Sequence, residues 1–240
     1  MQQQTSSAGT AAHTAEVRAW DLPTRLFHWG LVLLIATAYV SRHWGDANLT
    51  WHTWNGYAVL VLVVWRLLWG VVGSSTSRFS AFAYGPVRSA RYARDVVRRR
   101  SGRFLSHNPL GSIVVFGLLG LVGAMGVLGL FAYDDHDAFV GGPLSGRVSE
   151  AAWAFATRWH ILLFDVLLYV IALHIAANVV YLVWKRENLI RAMITGRKPA
   201  VHYEDQSAAR LASGWRAVGC LVLAAAIVFG GIVGAGGKLL

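Results

Sequence analysis

Five long apolar runs separated by polar stretches organise the chain, at about 26–44, 53–72, 110–132, 155–184 and 217–237. A helix that crosses a bilayer needs about 20 mostly apolar residues, and each run is close to or beyond that length. The fourth exceeds what a bilayer requires, so it is predicted to tilt or protrude. Asn108-Pro109 reads as the start of the third, with proline at the first helical position. The pattern predicts an all-α integral membrane helical bundle.

The polar stretches differ in charge. Segment 73–109 carries eight arginines and segment 185–216 seven basic residues, whereas 45–52 has none and 133–154 has only Arg147 against Asp134, Asp135, Asp137 and Glu150. Lys and Arg accumulate in cytoplasmic loops, so the N-terminus is expected to be cytoplasmic and the C-terminus on the outer side. Residues 1–17 are polar, lack the apolar core of a cleaved signal peptide, and are expected to form a disordered cytoplasmic tail.

Composition agrees. The chain is 55% hydrophobic and 14% charged, with 11 tryptophans; soluble domains are about 25% charged, and Trp collects at lipid–water interfaces. The net charge of +10 lies in the loops between spans, which argues against a nucleic-acid partner and for membrane lipid. Cys220 is the single cysteine. The chain therefore has no intrachain disulfide and no Cys-x-x-Cys-His for covalent haem attachment, so any haem is held by coordination and packing.

Four of the nine histidines stand at matched depths. His160 and His174 lie in the fourth span, fourteen residues apart: about 21 Å along a helix and only about 40° around it. One stripe thus offers an imidazole near each membrane surface. Polar residues in lipid are costly and tend to be functional, and a haem iron takes axial ligands above and below its ring. His28, near the inner end of the first span, is at the level of His174. His52, at the outer start of the second, is at the level of His160. His43 is the alternative outer ligand, about 22 Å from His28 along the first span. His107 is expected to be solvated, and His13, His136 and His202 are given no role.

Arg66 follows His52 by fourteen residues, which sets it at the inner level on the same seam. It is expected either to hold a haem propionate with its planar fork or to snorkel to the headgroups. Arg25 is a second inner candidate; Arg158 and Arg42 are outer ones. Gly56, one turn after His52, allows either a flat macrocycle or another helix to come close. The third span has glycines at 117, 120, 123, 126 and 129 and no histidine, and reads as a packing helix. Asp165 points about 140° from His160, away from the seam, toward the last span, a partner, a proton path or a hydrogen bond of its own.

Arg-Leu-Phe-His28-Trp, His52-x-x-x-Gly56 with Val-x-Arg66-Leu-Leu, and Trp159-His160 followed by His174-Ile-Ala-Ala resemble the prokaryotic cytochrome b561 family, which includes the cytochrome b subunits of nickel–iron hydrogenases. The resemblance covers about 18–200. It implies a four-helix di-haem core with two non-covalent haems b and quinone or quinol as one redox partner, in the bacterial inner membrane. Residues 201–240 are then a linker and a fifth C-terminal transmembrane helix beyond that core. The leading expectation is an electron-transfer subunit linking a redox partner, a companion subunit or a cytochrome c, to the quinone pool. The alternative is a stand-alone quinone oxidoreductase acting on superoxide or another small oxidant or reductant. A haem-free transporter or anchor is the third reading. Gly230-x-x-x-Gly234 offers a close-contact face for a homodimer.

Overall fold

A computed structural model describes residues 15–44, 49–134 and 140–239. Five of its helices are long and apolar enough to cross a membrane: α1 (Leu22–His43), α2 (Thr50–Val72), α4 (Pro109–Phe131), α5 (Glu150–Trp184) and α7 (Gly214–Gly234). Two short helices, α3 (Pro86–Val97) and α6 (Leu189–Thr195), lie between spans. Strand β1 (Glu16–Arg18) pairs antiparallel with β4 (Arg197–Pro199), and β2 (Tyr133–Asp134) with β3 (Val140–Gly141). The expected tail at 1–17 falls mostly outside the described residues; its end is not a tail, because Glu16 and Val17 belong to β1.

Local signals set the helix starts. Asp21 caps α1 by accepting from Thr24 N at 2.7 Å, and Asn108 caps α4 by accepting from Gly111 N at 2.8 Å, each with a proline in the first turn. The capped start puts α1 several residues earlier than the apolar run. Polar positions near an interface join a helix once a side chain satisfies its first N–H groups.

Helix α2 is the central element, flanked by α1, α4 and α7. Tyr57, Leu60, Val61, Trp65 and Trp69 are buried on it, and Trp65 Nε1 donates to Ala217 O at 3.0 Å to fix α7. Glycines let α4 approach α2: a Cβ at Gly126 would lie 2.7 Å from Leu60 Cδ2. Helix α5 packs on α4 and meets α1 through rings, including Tyr39 against Phe164 at 5.7 Å. The outward faces of α1, α4, α5 and α7 are largely exposed apolar side chains, as lipid contact requires. Gly230 and Gly234 of α7 have nothing within 4 Å of a Cβ position, so among the described residues nothing packs closely on them.

The segments read as loops on the inner side fold into a cap. Ala19, Trp20, Leu105, Ala192 and Tyr203 form its core. Asp205 accepts from Leu105 N and Ser106 N at 2.7 and 2.8 Å, and Lys198 Nζ donates to Phe104 O at 2.8 Å. Gly196 ends α6 with φ +78°, where a Cβ would lie 2.7 Å from Trp20 O.

Asp21 joins cap to bundle, because its Oδ2 also accepts from Trp69 Nε1 and Ser77 Oγ, both at 3.2 Å. Asp21→Ala removes an N-cap and leaves the buried Trp69 N–H without its acceptor. A loss of about 2–3 kcal/mol is expected, read as a lower thermal unfolding midpoint of the purified protein, with Asp21→Asn losing less.

Candidate functional site

Two pairs of facing imidazoles lie inside the bundle, one near each end. Named by the sides expected from loop charge, the outer pair is His52 of α2 and His160 of α5, with ring centroids 6.0 Å apart and planes at 82°. In the inner pair, His28 of α1 and His174 of α5 are 6.5 Å apart with planes at 50°. The long helix α5 thus contributes one ring to each pair.

The outer rings are oriented by backbone. His52 Nδ1 lies 3.1 Å from Ala38 O of α1, and His160 Nδ1 lies 2.9 Å from Met125 O of α4. An imidazole that donates Nδ1–H to a carbonyl is in the tautomer that ligates through Nε2, the usual support of a metal-binding histidine. A cavity of about 710 Å³ opens beside the pair, with His43, Gly56, Gly126 and Gly129 in its wall. That lies within the range of about 300–1,000 Å³ typical of cofactor sites. A Cβ at Gly56 would meet nothing within 4 Å, while one at Gly129 would lie 3.1 Å from His160 Cε1. Gly56 faces open space, and Gly129 makes room for the His160 ring.

Several buried nitrogens at the other end of the bundle lack hydrogen-bond partners. Arg66 is 3% exposed, with its guanidinium 4.7 Å over the Phe79 ring and neither terminal nitrogen hydrogen-bonded. Gly70 permits this, since a side chain there would overlap the Phe79 ring. Arg25 donates to Ile194 O through Nη1, while its buried Nε has no partner. His28 Nδ1 is likewise enclosed without a hydrogen bond. Asn178 Nδ2 lies 3.3 Å from His174 Nε2.

Several residues sit where the sequence did not suggest. His107 is not solvated: its ring lies 4.7 Å from Trp20 and 4.5 Å from Phe82, and its enclosed Nδ1 has no partner. Burial, with the positive Arg66 and Lys198 adding, pushes its pKa down to about 3, so the imidazole is neutral. Asp165, expected to point away from the seam, instead lines the outer cavity. Arg158 is exposed and is absent from the wall of that cavity, whereas Arg42 is part of it and pairs with Asp134 at 3.4 Å. His43 is also in the wall, but its Nδ1 is 2.8 Å from Tyr39 O and its ring lies tilted against that of Tyr39 at 4.3 Å. His202 is exposed in the cap, and His13 and His136 lie outside the described residues. Sequence reading missed Met125, whose backbone holds His160, and the role of Gly129. A glycine-rich face opposite a histidine was the available signal.

The spacing fits a haem. Two imidazoles on opposite sides of one iron, each with a metal–nitrogen bond of about 2 Å and a ring radius of about 1.1 Å, have centroids about 6 Å apart. Among the described residues no group of three or more His, Cys, Asp or Glu gathers as a metal site; paired ligands suit a metal whose other positions are filled by a macrocycle. The unpartnered guanidinium nitrogens of Arg66 suit carboxylates such as propionates.

A membrane helical bundle with facing histidine pairs between its spans defines a b-type cytochrome. The chain belongs to the family described as prokaryotic cytochrome b561, whose model matches residues 19–196. It is therefore a multi-pass membrane protein that binds haem b and acts in electron transfer. No curated protein matches the chain.

Gly129→Val drives a side chain into the His160 ring and off the Met125 carbonyl. Gly117→Val enters open space. Reduced-minus-oxidised spectra of the two purified variants should show loss of haem per chain in the first and an unchanged content in the second.

Proposed function

We propose that the protein holds two haems b and carries electrons between a redox partner and the quinone pool, as a subunit of a larger oxidoreductase. His52 and His160 ligate the outer haem, and His28 and His174 the inner one. The observation that carries this reading is the recurrence of one ring spacing, 6.0 and 6.5 Å, at two depths along α5.

The haems supply the one-electron chemistry. The protein supplies position and electrostatics. The carbonyls of Ala38 and Met125 hold the Nδ1 protons of His52 and His160, fixing ring orientation and raising ligand basicity. Gly56 leaves its side of the outer site flat. Arg66 and Arg25 receive the inner propionates; a buried cation in lipid needs an opposite charge, and the unpartnered nitrogens of Arg66 are ready to bond one. Of the two outer candidates, Arg42 rather than Arg158 serves the outer haem, because Arg42 lies in the cavity wall. The end bearing α3 and the cap, where Arg is concentrated, is the cytoplasmic face.

His174→Ala and His160→Ala test the ligand set. Each purified variant is expected to retain about one haem where the unaltered protein has two, with the remaining haem still reduced by dithionite and the double variant empty. Retention of both haems in either single variant rejects the assignment. Reduction of the haems by a quinol in the purified protein tests the partner; haem that stays oxidised with quinol but reduces with dithionite counts against quinone.

A further inference from the structure

A second cavity, separate from both histidine pairs, lies between α3, the turn that follows it and the start of α4. Its volume is about 670 Å³, and its wall includes Arg88, Arg91 and Arg100 with the carboxylates Asp95 and Glu204. We propose that it binds the phosphate headgroup of an anionic phospholipid.

Height in the bilayer is the first support. Pro109, the first residue of α4, is part of the wall. Tyr92 of α3 places its hydroxyl 3.2 Å from that of Tyr181, near the end of α5, and Lys185 Nζ donates to Tyr92 at 3.2 Å. Helix α3 is therefore pinned where two spans leave the hydrocarbon, at the level of lipid headgroups. Arg99 stacks 4.2 Å over the exposed Trp184 ring, as an interfacial tryptophan does.

Charge is the second. Residues 86–103 hold seven arginines and one carboxylate, Asp95. Asp95 lies 3.8 Å from Arg94, which is not part of the cavity wall. Arg88, Arg91 and Arg100 thus outnumber the Asp95 and Glu204 carboxylates in the wall, and a phosphate matches guanidinium forks in shape and charge. A basic cluster beside a span attracts anionic lipid in general. The orientation rule calls for positive loops but not for a concavity, and the concavity is what selects one headgroup over a diffuse layer. Inorganic phosphate shares the chemistry; the headgroup height favours the lipid.

The test uses the full-length protein in vesicles of phosphatidylcholine carrying spin-labelled phosphatidylglycerol or spin-labelled phosphatidylcholine, with the motionally restricted fraction of each measured. A severalfold preference for phosphatidylglycerol is expected. It should fall toward none in R88Q/R91Q/R100Q and persist in R94Q/R98Q/R103Q, which loses equal charge outside the cavity. Unchanged haem content and α-helical circular dichroism in both triple variants confirm that the fold is kept. Equal loss of preference in the two variants, or no preference in the unaltered protein, overturns the proposal. Displacement of the lipid by millimolar inorganic phosphate, at ionic strength held constant with chloride, assigns the site to free phosphate and overturns the lipid reading.

Discussion

A ring nitrogen buried among lipid-facing helices has no water to bond, so each polar atom there must find backbone, side chain or ligand. The arrangement of the bundle follows from that demand. Helix α2 brings His52 to a carbonyl of α1, and α5 brings His160 to a carbonyl of α4. Each contact uses an oxygen on a neighbouring helix, so helix packing and ring orientation are one requirement. Gly126 and Gly129 bring α4 close enough to satisfy it.

The two ends meet the demand differently. At the outer end the rings are steadied by main chain beside a roomy cavity. At the inner end, Arg66, Arg25, His28 and His107 all retain buried nitrogens without hydrogen bonds, under a folded cap. Orphaned donors at this density are uncommon in a finished interior. Donors without partners at one end of a bundle are free to bond a group with acceptors of its own.

Much of this was legible in the chain. Long apolar runs give spans because lipid imposes one solution on the backbone, and the fourteen-residue step from His160 to His174 gives a shared stripe because helical geometry is fixed. Depth pointed to His52 and His28 as counterparts, and their rings lie 6.0 and 6.5 Å from those of His160 and His174. The unread parts depend on the third dimension. The cap is held by Asp205, Lys198 and Asp21, whose partners are 48 to 100 residues away in sequence. His107 looked like a loop residue because its enclosure comes from Trp20 and Phe82. The Met125 carbonyl carries no side-chain signature. Asp165 is exposed on α5 yet contributes to the cavity wall, because that wall spans a wider arc than a single stripe.

Helix α5 runs unbroken for 35 residues and carries a ring of each pair. A continuous helix is a stiff rod, so the rise between His160 and His174, about 21 Å, is set by covalent geometry rather than by how neighbouring helices pack. Breathing of the bundle can loosen either ring from its counterpart on α1 or α2, yet it barely alters the interval between the two depths. The interval between the two ring pairs is thereby insulated from the softness of the surrounding lipid.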